Sequence, residues 1–104
     1  MNVVCIPAYN EEIKIKEVVK KALPYVDKVI VCDDGSTDDT AVLAKKAGAT
    51  VISHEKNLGY GAAISTLFDY CRKNNAEIMV TLDGDGQHNP DQIPDLINVI
   101  LKHN

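Results

Sequence analysis

Four short apolar runs, each followed by a stretch of helical periodicity, limit this chain more than any other feature. The runs are Val3-Val4-Cys5-Ile6, Val29-Ile30-Val31-Cys32, Thr50-Val51-Ile52-Ser53 and Ile78-Met79-Val80-Thr81-Leu82. Three of them are continuous rather than alternating, which marks strands buried on both faces. Between them lie helical stripes: Ile15, Val18, Val19 and Ala22; Val42, Leu43 and Ala47; Ile64, Leu67, Phe68 and Cys71. A last stripe, Ile93, Leu96, Ile97, Ile100 and Leu101, predicts a final helix. Pro94 belongs near its start, because inside a helix it costs about 3 kcal/mol. The order β-α-β-α-β-α-β-α predicts a three-layer α/β/α structure around a mostly parallel sheet. Right-handed crossovers predict strand order 3-2-1-4.

Punctuation residues set the expected boundaries. Pro7 ends the first strand, and Asn10 caps a helix with Glu11 and Glu12 in its first turn. Pro24 stops that helix. Ser36 with Asp39 resembles a capping box for the second helix, and Gly48 is its C′ residue.

The chain has 104 residues, enough for one domain, 1–104, with a core of its own. The net charge of −4 argues against a nucleic-acid partner, which would need a basic patch. The cysteines Cys5, Cys32 and Cys71 are odd in number and widely spaced, so buried free thiols in a reducing, cytoplasmic setting are expected. No apolar run approaches the ~20 residues of a membrane span, so any contact with the cytosolic membrane face would be made through other parts or partners.

In a sheet of order 3-2-1-4 the direction of winding reverses between strands one and four. Ligands bind at such a reversal, outside the carboxyl ends of the strands. Three polar loops fall there: Pro7–Glu12, Asp33–Asp39 and Asp83–Pro90. Six of the 15 acidic residues lie in the second and third of these loops (Asp33, Asp34, Asp38, Asp39, Asp83, Asp85), and they would repel unless cations or helix N-termini compensate. Asp83 and Asp85 stand two residues apart with glycine between them, so one can face a sugar or ribose and the other a metal. A hard cation, Mg²⁺ or Mn²⁺, suits carboxylates plus substrate phosphates. Gly84 and Gly86 let phosphate oxygens come close. The plain alternative is a polar turn between strand and helix.

The first βα turn, Pro7-Ala8-Tyr9-Asn10-Glu11-Glu12, has no G-x-G-x-x-G, which weighs against a dinucleotide site. Tyr9 offers a face for a base, or is a half-buried loop tyrosine. Asp33 and Asp34 can accept hydrogen bonds from a ribose or from the ring N–H of a uracil-like base, or they cap the next helix; Asp38 and Asp39 are assigned capping alone. Lys56 and Asn57 sit where a pyrophosphate could be faced, although a solvated lysine is the simpler reading. His54 and His88 lack partners at zinc-like spacing, and His103 has no assigned role.

Four elements in order resemble the nucleotide-sugar glycosyltransferases of family two, with the GT-A fold: Ile6-Pro7-Ala8-Tyr9-Asn10-Glu11, Cys32-Asp33-Asp34-Gly35-Ser36-Thr37-Asp38, Asn57-Leu58-Gly59-Tyr60-Gly61-Ala62 and Asp83-Gly84-Asp85-Gly86-Gln87-His88-Asn89-Pro90. The last element looks most like the branch that transfers a hexose to dolichyl or other polyprenyl phosphate. The resemblance implies a nucleotide-binding, Rossmann-like half-domain that takes a UDP- or GDP-hexose. It also implies roles. Pro7, Tyr9 and Glu11 would line the nucleotide. Asp34, with backbone at Cys32, would recognise the base. Asp83 would sit by the ribose or sugar, with Gly84 beside it. Asp85 would bind the metal and Gln87 complete its coordination.

Members of the family continue with strands that carry the acceptor site and, in many, the catalytic base. The chain given ends at Asn104, so a donor-binding half without turnover of its own is expected, and no catalytic residue is named. A non-catalytic nucleotide-binding module, a phosphotransferase using Asp83 and a structural domain stay as alternatives. The fourth strand would be an unpaired edge, which predicts a homo-oligomer joined there or at the flanking helices.

Overall fold

The computed structural model describes residues 1–83 and the short strand at 99–100. In chain order the elements are β1 (Asn2–Ala8), α1 (Ile15–Ala22), a 3₁₀ turn (Leu23–Tyr25), β2 (Lys28–Asp33), α2 (Thr40–Ala47), β3 (Thr50–Ser53), α3 (Tyr60–Lys73), β4 (Ile78–Thr81) and β5 (Val99–Ile100). The sheet order is β3-β2-β1-β4-β5. The first four strands are mutually parallel, as expected, and β5 runs antiparallel to β4.

Period-two alternation along the central strands divides the core into two layers. Val4, Ile6 and Ala8 of β1 and Val29 and Val31 of β2 pack with Ile15, Val18, Val19 and Ala22 of α1 and with Ala44 and Ala47 of α2. The intervening residues Val3, Cys5, Ile30 and Cys32 face the other way, onto Ala63, Leu67 and Cys71 of α3. Both faces of β1 and β2 are therefore covered, which is why those runs are apolar without a polar partner at every second position. Cys5 and Cys71 meet across this second layer at 3.5 Å between sulfurs, both as buried free thiols. Their shared hydrogen bond and burial hold the Cys5 thiol well above the ordinary range, so it stays protonated.

Several boundaries differ from the sequence expectation. β1 continues through Pro7 to Ala8, pairing Pro7 with Cys32 and Ala8 with Asp33. Strand alternation explains why a proline is tolerated. The Cys5 carbonyl accepts from the Leu82 amide at 3.1 Å, so Cys5 and Pro7 direct their backbone groups toward β4. The β1–β4 register ends at Cys5 and Thr81, so the N–H that Pro7 lacks falls where the ladder has finished. Asn10 does not cap α1: the helix starts at Ile15 after a turn in which the Lys14 and Ile15 amides donate to the Glu11 carbonyl. α1 ends at Ala22 and passes into the 3₁₀ turn containing Pro24. Gly48 closes α2 with φ +111°, its N–H donating to the Ala44 and Lys45 carbonyls, as its position predicts.

The final helix is corrected in one respect. Ile100, assigned to its apolar stripe, lies in β5, with Ile78 opposite Ile100 and Met79 opposite Val99. A short β-branched run carries no decisive period, and the open backbone of β4 supplies a partner for it. β4 is thus not an edge at Ile78 and Met79, and the expectation of an oligomer joined along that edge loses its ladder there. Ile93, Pro94, Leu96, Ile97 and Leu101 lie outside the described residues.

Candidate functional site

The loops after β1 and β2 are laced together by reciprocal hydrogen bonds. The Asn10 amide donates to Ser36 Oγ at 2.9 Å, and the Thr37 amide donates to Asn10 Oδ1 at 2.9 Å. The Glu11 amide donates to Thr40 Oγ1 at 2.9 Å and the Asp39 amide to Glu12 Oε2 at 3.0 Å. Asn10 reaches its partners from φ +51°, a conformation asparagine tolerates better than most residues. This lacing replaces the expected capping box. Ser36 serves the neighbouring loop, and Asp39, at the N-cap of α2, makes no side-chain capping bond. Asp38 holds the helix start instead: its Oδ1 accepts from the Thr40 amide at 3.0 Å and from the Thr40 hydroxyl, and its Oδ2 accepts from the Glu12 amide at 3.3 Å. Burial raises the Asp38 pKa, the Thr40 and Glu12 bonds lower it, and the net position is below the ordinary carboxylate value.

Asp34 is the centre of a second network. It directly follows β2 and is buried, 4% exposed. Its Oδ1 accepts from His54 Nδ1 at 2.7 Å and from the Leu58 amide at 2.9 Å. Its Oδ2 accepts from the Gly59 amide at 2.9 Å and from Asn57 Nδ2 at 3.2 Å. Burial pushes the Asp34 pKa up, but the His54 bond and the two amides outweigh it and hold the carboxylate below its ordinary value. A carboxylate only accepts, so His54 Nδ1 carries the hydrogen. His54 Nε2 then faces the Thr66 hydroxyl at 2.8 Å and Cys32 Sγ at 3.7 Å. Burial, with Asp34 and Asp33 nearby, raises the Cys32 thiol to about 11, so it remains a neutral group beside the imidazole. The segment 54–59 is in this way wrapped around one buried acid.

Gly35 makes that wrapping possible. Its φ is +72°, and a Cβ there would lie 2.3 Å from the Lys56 carbonyl carbon and 2.4 Å from the Asn57 nitrogen. Only a residue without a side chain lets the two backbones pass at this distance.

The cleft opens where β4 stops pairing with β1, at the reversal of strand order. It has a volume of about 350 Å³. Pro7 lines it from the end of β1, Tyr9 and Glu11 from the loop that follows, Asp34 from just after β2, Asn57 and Gly59 from the approach to α3, Tyr60 from its first turn, and Asp83 from just beyond β4. Of the residues picked from the sequence, Pro7, Tyr9, Glu11, Asp34 and Asp83 therefore come together. Cys32 is sealed in the core at 0% exposure and its side chain does not reach the cleft. Gly84, Asp85 and Gln87 lie outside the described residues. Lys56 is exposed and is not in the cleft wall, whereas its neighbour Asn57 is. The residue that sequence reasoning passed over is His54. The spacing of histidines speaks only to zinc, whereas the place of His54 directly after β3 puts it on the same sheet edge as Asp34. Among the described residues no group of three or more His, Cys, Asp or Glu side chains could hold a metal ion.

An open parallel α/β sheet with an acidic cleft at its switch point defines a ligand-binding domain of the nucleotide-binding kind. The chain belongs to the family described as glycosyl transferase family 2, whose profile matches residues 3–104. It is 37% identical over 114 residues to the UDP-N-acetylglucosamine–dolichyl-phosphate N-acetylglucosaminyltransferase of Methanococcus voltae, covering 92% of this chain and 45% of that protein. It is 36% identical over 106 residues to an undecaprenyl-phosphate 4-deoxy-4-formamido-L-arabinose transferase of Pseudomonas fluorescens, covering 90% of this chain and 30% of the relative. The chain thus spans less than half the length of these curated relatives. Among solved structures it resembles glucosyl-3-phosphoglycerate synthase from Mycobacterium tuberculosis in complex with Mn²⁺, UDP and glucosyl-3-phosphoglycerate, with a TM-score of 0.72 and 32% identity over 90% of this chain and 37% of that one.

Proposed function

We propose that this chain is the donor-binding part of a glycosyltransferase. It would hold a nucleoside diphosphate sugar, UDP- or GDP-hexose, for transfer of the hexose to a polyprenyl phosphate or another acceptor. The observation that carries this reading is the convergence of Tyr9, Glu11, Asp34 and Asp83, from three separate strand ends, on one cleft at the sheet's switch point. Its volume of about 350 Å³ is within the range of about 300–1,000 Å³ usual for small-molecule sites. The relatives support the chemistry: one is named for UDP-N-acetylglucosamine and dolichyl phosphate, another was solved with UDP and Mn²⁺. In this reading Tyr9, half exposed at 45%, gives the base a face to stack on. Pro7 and Glu11 line the nucleotide, Asp34 meets the base, and Asp83 faces the ribose or sugar.

A divalent cation, Mg²⁺ or Mn²⁺, fits the donor set. Asp85 and Gln87, which follow the cleft-lining Asp83 at alternate positions, carry the hard oxygen ligands such an ion takes. In this reading Asp85 and Gln87 share the cation with the donor phosphates. Bound there, the ion would neutralise charge on the leaving diphosphate. Among the described residues no helix is long and apolar enough to cross a membrane.

Isothermal calorimetry with UDP and GDP, in Mn²⁺ and in chelator, tests the reading. Tighter binding with the metal, lost in Asp85→Ala, is expected. Absence of nucleotide binding refutes the assignment, and equal affinity in all conditions refutes the metal site.

A further inference from the structure

We propose that the Asn57 carboxamide is a placeholder for the donor's base: in the free protein it occupies the acceptor on Asp34 that a ring N–H takes when a nucleotide binds. The inference rests on the nucleotide-binding reading and narrows it to bases that present an N–H.

A carboxylate has about four acceptor positions. On Asp34 they are taken by His54 Nδ1, the Leu58 amide, the Gly59 amide and Asn57 Nδ2. A base that contacts this carboxylate must displace one of them. Three resist exchange. The Leu58 and Gly59 amides belong to the backbone that leads into α3, so releasing either moves the chain. His54 is held at its other nitrogen by Thr66 at 2.8 Å, so the imidazole is fixed at both ends and positions the carboxylate.

The fourth bond differs in each respect. At 3.2 Å it is the longest of the set, and the second contact of the same amide nitrogen, to the Asp34 carbonyl, is 3.3 Å. Its donor is a side chain with two rotatable bonds on an exposed residue of the cleft wall. Swung away, the carboxamide finds water and gives up, besides the carboxylate, only its long contact with the Asp34 carbonyl. The vacated position on Oδ2 then offers a lone pair toward the cleft. A carboxamide N–H and the imide N–H of uracil are the same kind of donor, so one replaces the other without a change in charge. Guanine also presents a ring N–H. Cytosine presents a lone pair at the corresponding ring nitrogen, which repels a carboxylate there, and its only donor is the exocyclic amine to one side.

The test is calorimetry of the 104-residue chain, wild type against Asn57→Ala and Asn57→Ser, with UDP, CDP and inorganic pyrophosphate as probes. Thermal melts establish that each variant is folded. The proposal expects both variants to bind UDP about fivefold more tightly, the factor for one competing hydrogen bond removed, with CDP and pyrophosphate unchanged. UDP affinity that is unchanged or weaker overturns it. Weaker UDP together with weaker pyrophosphate makes Asn57 a diphosphate ligand instead. Unfolding of both variants makes it a structural residue and overturns the proposal as well. If wild type binds UDP and the variants match it, the placeholder fails and the nucleotide reading stands. If no protein binds any nucleotide, both fail.

Discussion

Replacing Gly35 by alanine should damage stability more than the same change at Gly48, Gly59 or Gly61. Two costs combine. At φ +72° an L-residue is strained by about 1–2 kcal/mol. The new Cβ would also sit 2.3 Å from the Lys56 carbonyl carbon, 2.4 Å from the Asn57 nitrogen and 2.7 Å from the Lys56 Cα. All three are backbone atoms, so no side chain can swing aside and the 56–58 segment itself must shift. That segment presents the Leu58 and Gly59 amides to Asp34, both at 2.9 Å. Hydrogen bonds to a charged group contribute about 1.5–3 kcal/mol each, so losing one brings the total to about 3–5 kcal/mol. Typical domains have only about 5–15 kcal/mol in all. For a chain of this size the loss corresponds to a fall in Tm of about 12–25 °C. Gly61→Ala is the internal control. Nothing lies within 4 Å of a Cβ there, and the position is inside α3, so alanine should be neutral or raise stability by up to about 1 kcal/mol. Urea unfolding and thermal melts of the two variants decide the matter. A Gly35→Ala melting point within about 3 °C of wild type would refute the reasoning, because it would mean that the 54–59 segment does not depend on this backbone contact.

Two further outcomes follow from the acids around the cleft. Asp38→Ala should lower stability by about 1 kcal/mol by freeing the Thr40 and Glu12 amides, whereas Asp39→Ala should change it little, and urea midpoints with the order reversed would contradict the described capping. Asp34 and Asp38 both have folded pKa values below their unfolded ones, so the unfolded chain binds more protons as pH falls through the ordinary carboxylate range near 4. Their contribution is complete above that range and is lost below it; Asp34→Asn should flatten the acid limb of a stability-against-pH curve, and an unchanged limb would show that the Asp34 network does not hold the charged form.

The alternation of apolar runs and helical stripes was enough to define the class of fold, the parallel strands and their order, because burial on both faces and right-handed crossovers leave few arrangements. It also placed Tyr9, Asp34 and Asp83 on one edge, since each stands just beyond a strand. Gly48 was legible for a local reason: a helix end that needs a left-handed residue selects glycine in the chain itself. The partners of polar side chains were not legible. Ser36, Asp38 and Asp39 all sit where a cap would, and which of them caps α2 depends on the loop after β1 lying alongside to take Ser36 and to offer the Glu12 amide. His54 acquires its importance only when β3 pairs with β2 and brings it to Asp34 across 20 residues of sequence. Ile100 could join a helical stripe or a strand by its own pattern, and the open side of β4 decided between them. Local geometry and burial are written in the spacing of residues along the chain, but a hydrogen bond between distant loops is settled by which loops the sheet brings side by side.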